Sequence, residues 1–194
     1  MNYFRKTLII LPSLFLVSCG YNSLQGLDED VKKSWAEVEN QYQRRADLIP
    51  NLVNTVKGYA THEKDTLEAV VKARAEATSV KLDASKLSDK AAFAKFEAAQ
   101  SNLSSSLGRL LVSVEKYPEL KANENFRDLQ SQLEGTENRI TVARKRYIDE
   151  VAEYNKGVRY FPTNLTAKFL LHLDSRETFK ATAANADKAP EVKF

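Results

Sequence analysis

Apolar side chains recur at steps of three or four residues over most of this chain, in three long runs separated by polar or proline-containing breaks. A step of 3.6 residues brings such side chains onto one face of an α-helix, whereas a strand would show strict alternation. Helices of this length must fold back on one another to bury their apolar faces. The sequence therefore predicts an all-α fold, an elongated antiparallel bundle of three long helices plus a short C-terminal helix.

The first run covers residues 31–70 and contains one proline. Pro50 cannot donate a backbone hydrogen bond to the carbonyl of Ala46. We therefore expect a kink near residues 46–50, and a helix restart capped by Asp47 is the alternative. The apolar period continues on both sides of the proline, which favours the kink.

The other two runs are bounded by clear breaks. Residues 79–88 lose the helical period, which predicts a loop before the second long helix. Pro118 and Pro162 end the second and third helices, because the residue before a proline avoids helical geometry. Thr163 then caps a short fourth helix, and residues 173–194 are predicted to form a polar tail.

The N-terminus has the layout of a secretory signal peptide. Arg5 and Lys6 precede an apolar run from Thr7, which ends in the small residue Ser18 and the single cysteine of the chain, Cys19. At about 1.5 Å per residue the run spans only about half of a ~30 Å hydrocarbon core, too short for a stable transmembrane helix. The ending Leu-Val-Ser-Cys resembles the lipobox of bacterial lipoproteins, which implies cleavage between Ser18 and Cys19 and lipidation of the cysteine.

This resemblance divides the chain into a signal peptide at 1–18, a lipidated tether at 19–26, a helical bundle at 27–172 and the polar tail. We expect an extracytoplasmic protein held to a membrane by its lipid, since two or more acyl chains give durable anchoring. Gly20 follows the cysteine, and in a Gram-negative host this favours the outer membrane, facing the periplasm, over the inner membrane. An ordinary signal peptide with an incidental cysteine and an uncleaved anchor are the alternatives.

Four segments of the chain carry a family pattern. They are Tyr21-Asn22 with Leu24, Val31 and Trp35; Tyr42, Arg44-Arg45-Ala46-Asp47-Leu48-Ile49-Pro50-Asn51-Leu52-Val53 and Val56 to Glu63; Tyr117 to Ala122 with Phe126; and Gly135 to Ile140 with Ala143-Arg144, Tyr154-Asn155 and Phe161 to Leu165. Read together, they resemble the LemA family. The resemblance implies an antiparallel helical bundle, mostly outside the cytoplasm and tethered to a membrane at its N-terminus, and it carries over no enzymatic activity. Family members commonly begin with a transmembrane helix, whereas this chain begins with a lipobox-like signal.

Residue types that carry catalysis are scarce in this sequence. Neither His62 nor His172 follows a glutamate three positions earlier, as the di-metal sites of helical bundles require. The chain also lacks a cysteine cluster, a Gly-x-Ser-x-Gly elbow and a phosphate-binding glycine loop. We therefore expect no catalytic residue, no metal, no cofactor and no small-molecule substrate. A formal net charge of +3 is too small to indicate a nucleic-acid partner.

Polar side chains that interrupt the apolar stripes are more informative. Arg45 takes a stripe position in the first helix, and residues 137–139 interrupt the stripe of the third. A buried ion is tolerated only when it is paired and hydrogen-bonded. We therefore expect Arg45 to meet Glu137, and Asp47 to meet Arg139 or Arg144. The polar set comprises Arg44, Arg45, Asp47, Glu137, Asn138, Arg139 and Arg144.

Two interpretations of this polar set remain open, a network that fixes helix register and a cleft for a peptide or partner helix. Three functions follow in order of preference. The first is a lipid-anchored interaction or scaffold protein with an envelope protein as partner. The second is a structural or membrane-shaping protein that self-associates on the membrane surface. The third is a hydrolase built on two close carboxylates with perturbed pKa values.

Overall fold

A computed structural model of the chain describes residues 2–60 and 62–180, with the side chains of residues 2–19 left out of the description. This part of the chain is helical and contains no strand, which confirms the all-α prediction. The helices are α1 (Asn2–Lys57), α2 (Lys64–Ser79), α3 (Lys90–Val114), α4 (Pro118–Ala122), α5 (Glu124–Arg159) and α6 (Thr163–Thr166), with a 3₁₀ turn at Ala84–Lys86 and a π-helical turn at Ala167–Leu171.

The bundle has four main helices, α1, α2, α3 and α5, because the first predicted run is split into α1 and α2. The chain reverses between Lys57 and Lys64, and α1 continues through Pro50 without a break. The alternative to the expected kink, a helix restart capped by Asp47, is absent. The apolar period continued across the turn because Leu67 and Val70 of α2 face the same core as Val56 of α1. Periodicity alone reports a shared core and does not reveal a reversal of direction.

A hydrogen bond from a neighbouring helix explains why α1 passes through its proline. Pro50 leaves the carbonyl of Ala46 without its helical donor. Arg74 of α2 supplies the missing donor, with its Nε 2.7 Å from the Ala46 oxygen. The orphan carbonyl is therefore satisfied by the tertiary structure.

The four main helices alternate in direction, and α1 and α5 make the most extensive contact. With only 16 residues, α2 covers just the half of the bundle near its turn with α1. The core there is mainly aliphatic, whereas the core of the other half is rich in aromatic residues. The aromatic cluster comprises Trp35, Tyr42, Phe93, Phe96, Tyr147 and Phe179.

The predicted polar tail begins as an ordered part of the bundle. We call residues 173–180 the strap. It has no helix or strand, yet Phe179 is buried against Trp35, with ring centroids 6.1 Å apart. Glu177 N donates to the Leu87 oxygen over 2.9 Å, and the Tyr147 hydroxyl donates to the Glu177 oxygen over 2.9 Å. The strap occupies the half of the core that α2 leaves uncovered, and residues 181–194 lie outside the described residues.

The predicted tether at 19–26 is helical and packs against the bundle. Leu24 is fully buried, and a Cβ on Gly20 would lie 3.2 Å from Thr163 Cγ2. The bundle therefore includes residues from Gly20 onward, before the predicted boundary at residue 27. The side chains of Ser18 and Cys19 lie outside the described residues. Within the part of the chain that the structure describes, no helix has a segment long and apolar enough to cross a bilayer.

Candidate functional site

Arg45 lies at the centre of the bundle and is 1% exposed. The helical period of α1 places it on the inward face, between the buried residues Tyr42 and Ile49. A buried guanidinium needs hydrogen-bond acceptors and an opposite charge. Its surroundings therefore decide whether Arg45 is a structural residue or part of a binding site.

Both terminal nitrogens of Arg45 are hydrogen-bonded to groups from two other helices, whereas its buried Nε has no partner among the described residues. Its Nη1 lies 2.9 Å from Glu137 Oε1 of α5 and 2.6 Å from Ser104 Oγ of α3. Its Nη2 lies 2.6 Å from Gln100 Oε1, and the guanidinium carbon lies 5.0 Å from the centre of the Tyr42 ring. The predicted pair of Arg45 and Glu137 is thus present, as part of a network that joins α1, α3 and α5.

A cavity of about 120 Å³ adjoins this network between α3 and α5. Arg144 and Glu97 lie on its wall, with Arg144 Nη2 3.3 Å from Glu97 Oε1. The Arg144 guanidinium also lies over the Phe179 ring, 4.3 Å from its centre, and Lys180 N donates to Glu97 over 3.3 Å. The strap therefore contacts two residues of the cavity wall, Glu97 and Arg144. Both carboxylates on the cavity wall, Glu97 and Glu137, are held by arginines.

The other predicted polar residues do not join the network. Asp47 accepts a hydrogen bond from Gln43 Nε2 over 2.7 Å on the outer surface of α1, and it meets neither Arg139 nor Arg144. Two positions along a helix correspond to a rotation of about 200°, so Asp47 points away from the face that carries Arg45. Arg44, Asn138 and Arg139 are likewise exposed.

Three partners in these networks were not predicted from the sequence, Gln100, Ser104 and Glu97. Gln100 could have been identified from the sequence, because it lies on the apolar stripe of α3, four residues after Phe96 and three before Leu103. No sequence pattern identifies Ser104 and Glu97, since small or charged residues beside an apolar stripe are common on any helix surface.

A second buried ion pair fastens the strap to α1, and it too was missed. Arg176 Nη2 bonds Asp28 Oδ1, with the two side chains 9% and 10% exposed. The backbone N–H of Arg176 donates to Asn155 Oδ1 of α5 over 2.8 Å. The Arg176 guanidinium also lies 4.7 Å from the centre of the Tyr154 ring. These contacts hold the strap against α1 and α5.

Burial governs the ionisation of the tyrosines in this half of the bundle. It raises the pKa of Tyr42, and the nearby guanidinium groups of Arg144 and Arg45 partly offset this. Burial also raises the pKa of Tyr147 strongly, against a smaller lowering by Arg176. These phenols stay protonated at neutral pH and serve as core residues with a polar end. Among the described residues, no group of three or more His, Cys, Asp or Glu is placed to hold a metal ion.

A larger concave surface than this cavity lies elsewhere, between α1 and α2. We call it the α1–α2 groove. It has a volume of about 550 Å³ and a floor that includes Val53, Ala60, Leu67 and Val71. Val71 is 50% exposed. Its remaining lining residues are Lys57, Lys64, Glu68, Lys72 and Ala75.

Comparisons with known proteins give one family model and several distant relatives. The family model described as "LemA family" matches residues 34–194. Magnetosome protein MamQ 1 of Paramagnetospirillum magneticum is 24% identical over 184 residues, which cover 84% of this chain and 66% of that protein. Magnetosome protein MamQ of Magnetospirillum gryphiswaldense is 24% identical over 76% of this chain and 60% of its own length. Protein LemA of Metamycoplasma hominis is 22% identical over 86% of this chain and 75% of its own length. The matches therefore span about two thirds or less of the magnetosome proteins.

Proposed function

Because this chain belongs to the LemA family, we propose that it is an extracytoplasmic interaction protein of the bacterial envelope. In this proposal a lipid on Cys19 holds the protein to a membrane, and the helical bundle presents a binding surface to a protein partner. The lipobox-like residues before Cys19 support the anchor, and in a Gram-negative host Gly20 after the cysteine favours the periplasmic face of the outer membrane over the inner membrane.

The α1–α2 groove is the observation that carries the binding role. It lies near the end of α1, and residues 19 and 53 are separated by about 50 Å along the axis of that helix at ~1.5 Å per residue. A surface at that distance from the lipid can meet a protein partner without steric hindrance from the membrane. Exposed apolar surface rimmed by polar residues is a feature of interaction sites on proteins.

The polar network around Arg45 supports the α1–α2 groove as the binding surface, because the network and its cavity do not suit a peptide. Every charged group that it contains is engaged with another residue of the bundle. The cavity of about 120 Å³ has less than a quarter of the volume of the α1–α2 groove, about 550 Å³, and is small for a peptide. We therefore assign the network to helix register, and the binding role to the α1–α2 groove.

The anchor is tested by metabolic labelling with a palmitate analogue in a bacterial host. We expect the full chain to be labelled and recovered with membranes. The Cys19→Ser chain should be unlabelled and keep residues 1–18, because both lipidation and cleavage depend on the cysteine. Labelling of Cys19→Ser, or a natural chain that stays unlabelled, would reject the lipid anchor.

The binding role is tested by a photo-crosslinking residue placed at Val71 in the lipoprotein in living cells. A residue at Val142 is the matched control, because Val142 is 51% exposed on α5 and Val71 is 50% exposed on α2. We expect a discrete adduct with an envelope protein from position 71 and none from position 142. Equal crosslinking from the two positions, or none from either, would argue against the groove as the binding surface.

A further inference from the structure

The floor of the α1–α2 groove has a shape that suits one bound helix. Leu67, Val71 and Ala75 follow one another at steps of four along α2, and Val53 and Ala60 face them from the other side. The lining residues of α2 run from Lys64 to Ala75, about 16 Å or three helical turns. A helix laid there would bury apolar residues at i, i+3, i+4 and i+7 against this floor.

The rim of the groove is positively charged. Three lysines line it, Lys57 from α1 and Lys64 and Lys72 from α2, against one acidic residue, Glu68. The Lys64 and Glu68 side chains are exposed, with Nζ and Oε1 3.8 Å apart. Neither Lys57 nor Lys72 forms an ion pair within the described part of the chain. Exposed rim charges select partners and accelerate their encounter more than they add to affinity.

The charge, shape and position of the groove disfavour three other occupants. A second copy would bring two lysine-rich rims together, which costs energy by like-charge repulsion. A lipid surface is disfavoured because the apolar floor is concave and lies about 50 Å along α1 from Cys19 at ~1.5 Å per residue. The chain's own residues 181–194 carry two acidic and two basic residues and a proline, which suits neither the charge nor a helical occupant.

We infer that the α1–α2 groove binds an amphipathic helix of a partner protein, whose apolar stripe is flanked by acidic side chains. This inference rests on the proposed function and adds the chemistry of the partner. The apolar stripe would contact Val53, Leu67 and Val71, and the acidic flanks would face the three lysines of the rim.

The test uses the purified full-length lipoprotein in detergent and two fluorescent synthetic peptides. Both peptides have about 18 residues, or five helical turns, with one leucine and alanine stripe. One peptide carries glutamates beside the stripe, and the other carries lysines. Fluorescence anisotropy at low salt should show that the glutamate peptide binds about tenfold more tightly or better. The double variant Lys64→Glu and Lys72→Glu should reverse this preference.

Val71→Glu is the variant that blocks the floor, and Val142→Glu is its matched control at equal exposure. Val71→Glu should abolish binding of the glutamate peptide, and Val142→Glu should leave it unchanged, with circular dichroism showing that both variants fold. The inference is overturned if the two peptides bind equally, if neither binds, or if binding appears only after residues 181–194 are removed. If crosslinking from position 71 in cells persists in the double variant Lys64→Glu and Lys72→Glu, the proposed function is retained and the acidic partner is rejected.

Discussion

Arg74 Nε of α2 lies 2.7 Å from the carbonyl oxygen of Ala46 in α1, the one carbonyl that Pro50 leaves without a helical donor. The hydrogen bond therefore replaces an intrahelical bond with one between helices. It allows α1 to continue to Lys57, where it forms one wall of the α1–α2 groove. A residue that is unfavourable for the helix alone is thus accommodated by the fold.

The first prediction concerns this replacement. Arg74→Met should lower the free energy of unfolding by about 1–2 kcal/mol, because it leaves a partly buried carbonyl without a donor. The same substitution should cost less in a Pro50→Ala background, where the new backbone N–H at position 50 can donate to the Ala46 oxygen. Urea denaturation of the four chains measures the difference, and an equal cost of Arg74→Met in both backgrounds would contradict it.

The second prediction concerns the ion pair of Arg45 and Glu137, in which the arginine is buried and the glutamate side chain is 43% exposed. Arg45→Ala should cost about 3 kcal/mol, because it removes a buried side chain and leaves the acceptors on α3 without their donor. Glu137→Ala should cost about 2 kcal/mol, because the guanidinium then keeps only neutral partners.

A double-mutant cycle separates direct pairing from two independent losses. The double variant should lose about 1–2 kcal/mol less than the sum of the single losses. Arg44→Ala is the control on the exposed side of the same helix and should change stability by about 0.5 kcal/mol or less. Strictly additive losses would show that the contact between Arg45 and Glu137 adds no stability.

The third prediction concerns the close approach of α5 to α1 at Gly157. A Cβ there would lie 2.8 Å from Leu27 Cδ1 and 3.2 Å from Leu24 Cδ2, whereas a Cβ on Gly135 of the same helix would meet nothing within 4 Å. Gly135→Ala should stabilise the protein by about 0.5–1 kcal/mol through helix propensity. Gly157→Ala should be less favourable than Gly135→Ala by about 1–2 kcal/mol, because overpacking opposes that gain.

Thermal unfolding of the two glycine variants measures the difference directly. Leu27→Ala should reduce the penalty of Gly157→Ala, since it removes the nearest contact atom. If both glycine variants gain stability equally, the α1–α5 contact does not require a glycine at position 157.

The fourth prediction concerns the anchoring of the strap. Phe179→Ala should cost about 3 kcal/mol as a large-to-small change in the core. Trp35, the only tryptophan of the chain, stacks on Phe179, so its fluorescence should shift to the red in the folded variant. Phe169→Ala is the control, because Phe169 is 65% exposed. An unchanged stability and emission after Phe179→Ala would show that the strap does not contribute to the core.

The fifth prediction concerns alkaline pH. Burial raises the pKa of Tyr147 well above its ordinary value of 10.0. An unfolded tyrosine ionises near pH 10, while the folded one keeps its proton, so this stabilising contribution is intact below about pH 10 and is lost as the pH rises further. Stability should therefore fall more steeply between about pH 10 and pH 11.5 in the natural chain than in Tyr147→Phe.

The two chains are compared by the slope of the free energy of unfolding against pH, since Tyr147→Phe also loses the hydrogen bond to the Glu177 oxygen at every pH. Buried Tyr42 and Tyr154 also have raised pKa values, which leaves a residual slope in the variant. Tyr160→Phe, at a site that is 64% exposed, should leave the slope unchanged. Identical slopes for Tyr147→Phe and the natural chain would contradict the prediction.

The helical period predicted the class of fold and the inward position of Arg45, because both follow from 3.6 residues per turn along one helix. It did not predict the turn between α1 and α2. A chain that reverses and returns to the same core keeps its apolar period, and Pro50, which was expected to disturb the helix, is relieved by Arg74 from outside it. The pair of Arg45 and Glu137 could be predicted because Glu137 is the one acidic residue among residues 137–139, which interrupt the stripe of the third predicted helix.

The helices, the buried stripes and the need for an acceptor at Arg45 follow from the sequence, because each depends on residues that are neighbours along one helix. Three features became visible only in the folded chain: residues 173–180 form a strap, Arg176 meets Asp28, and the face between α1 and α2 stays open. The strap and the pair of Arg176 and Asp28 join residues far apart in the chain, and no local pattern encodes such contacts. The strap has its place because α2 is short and leaves half of the bundle uncovered.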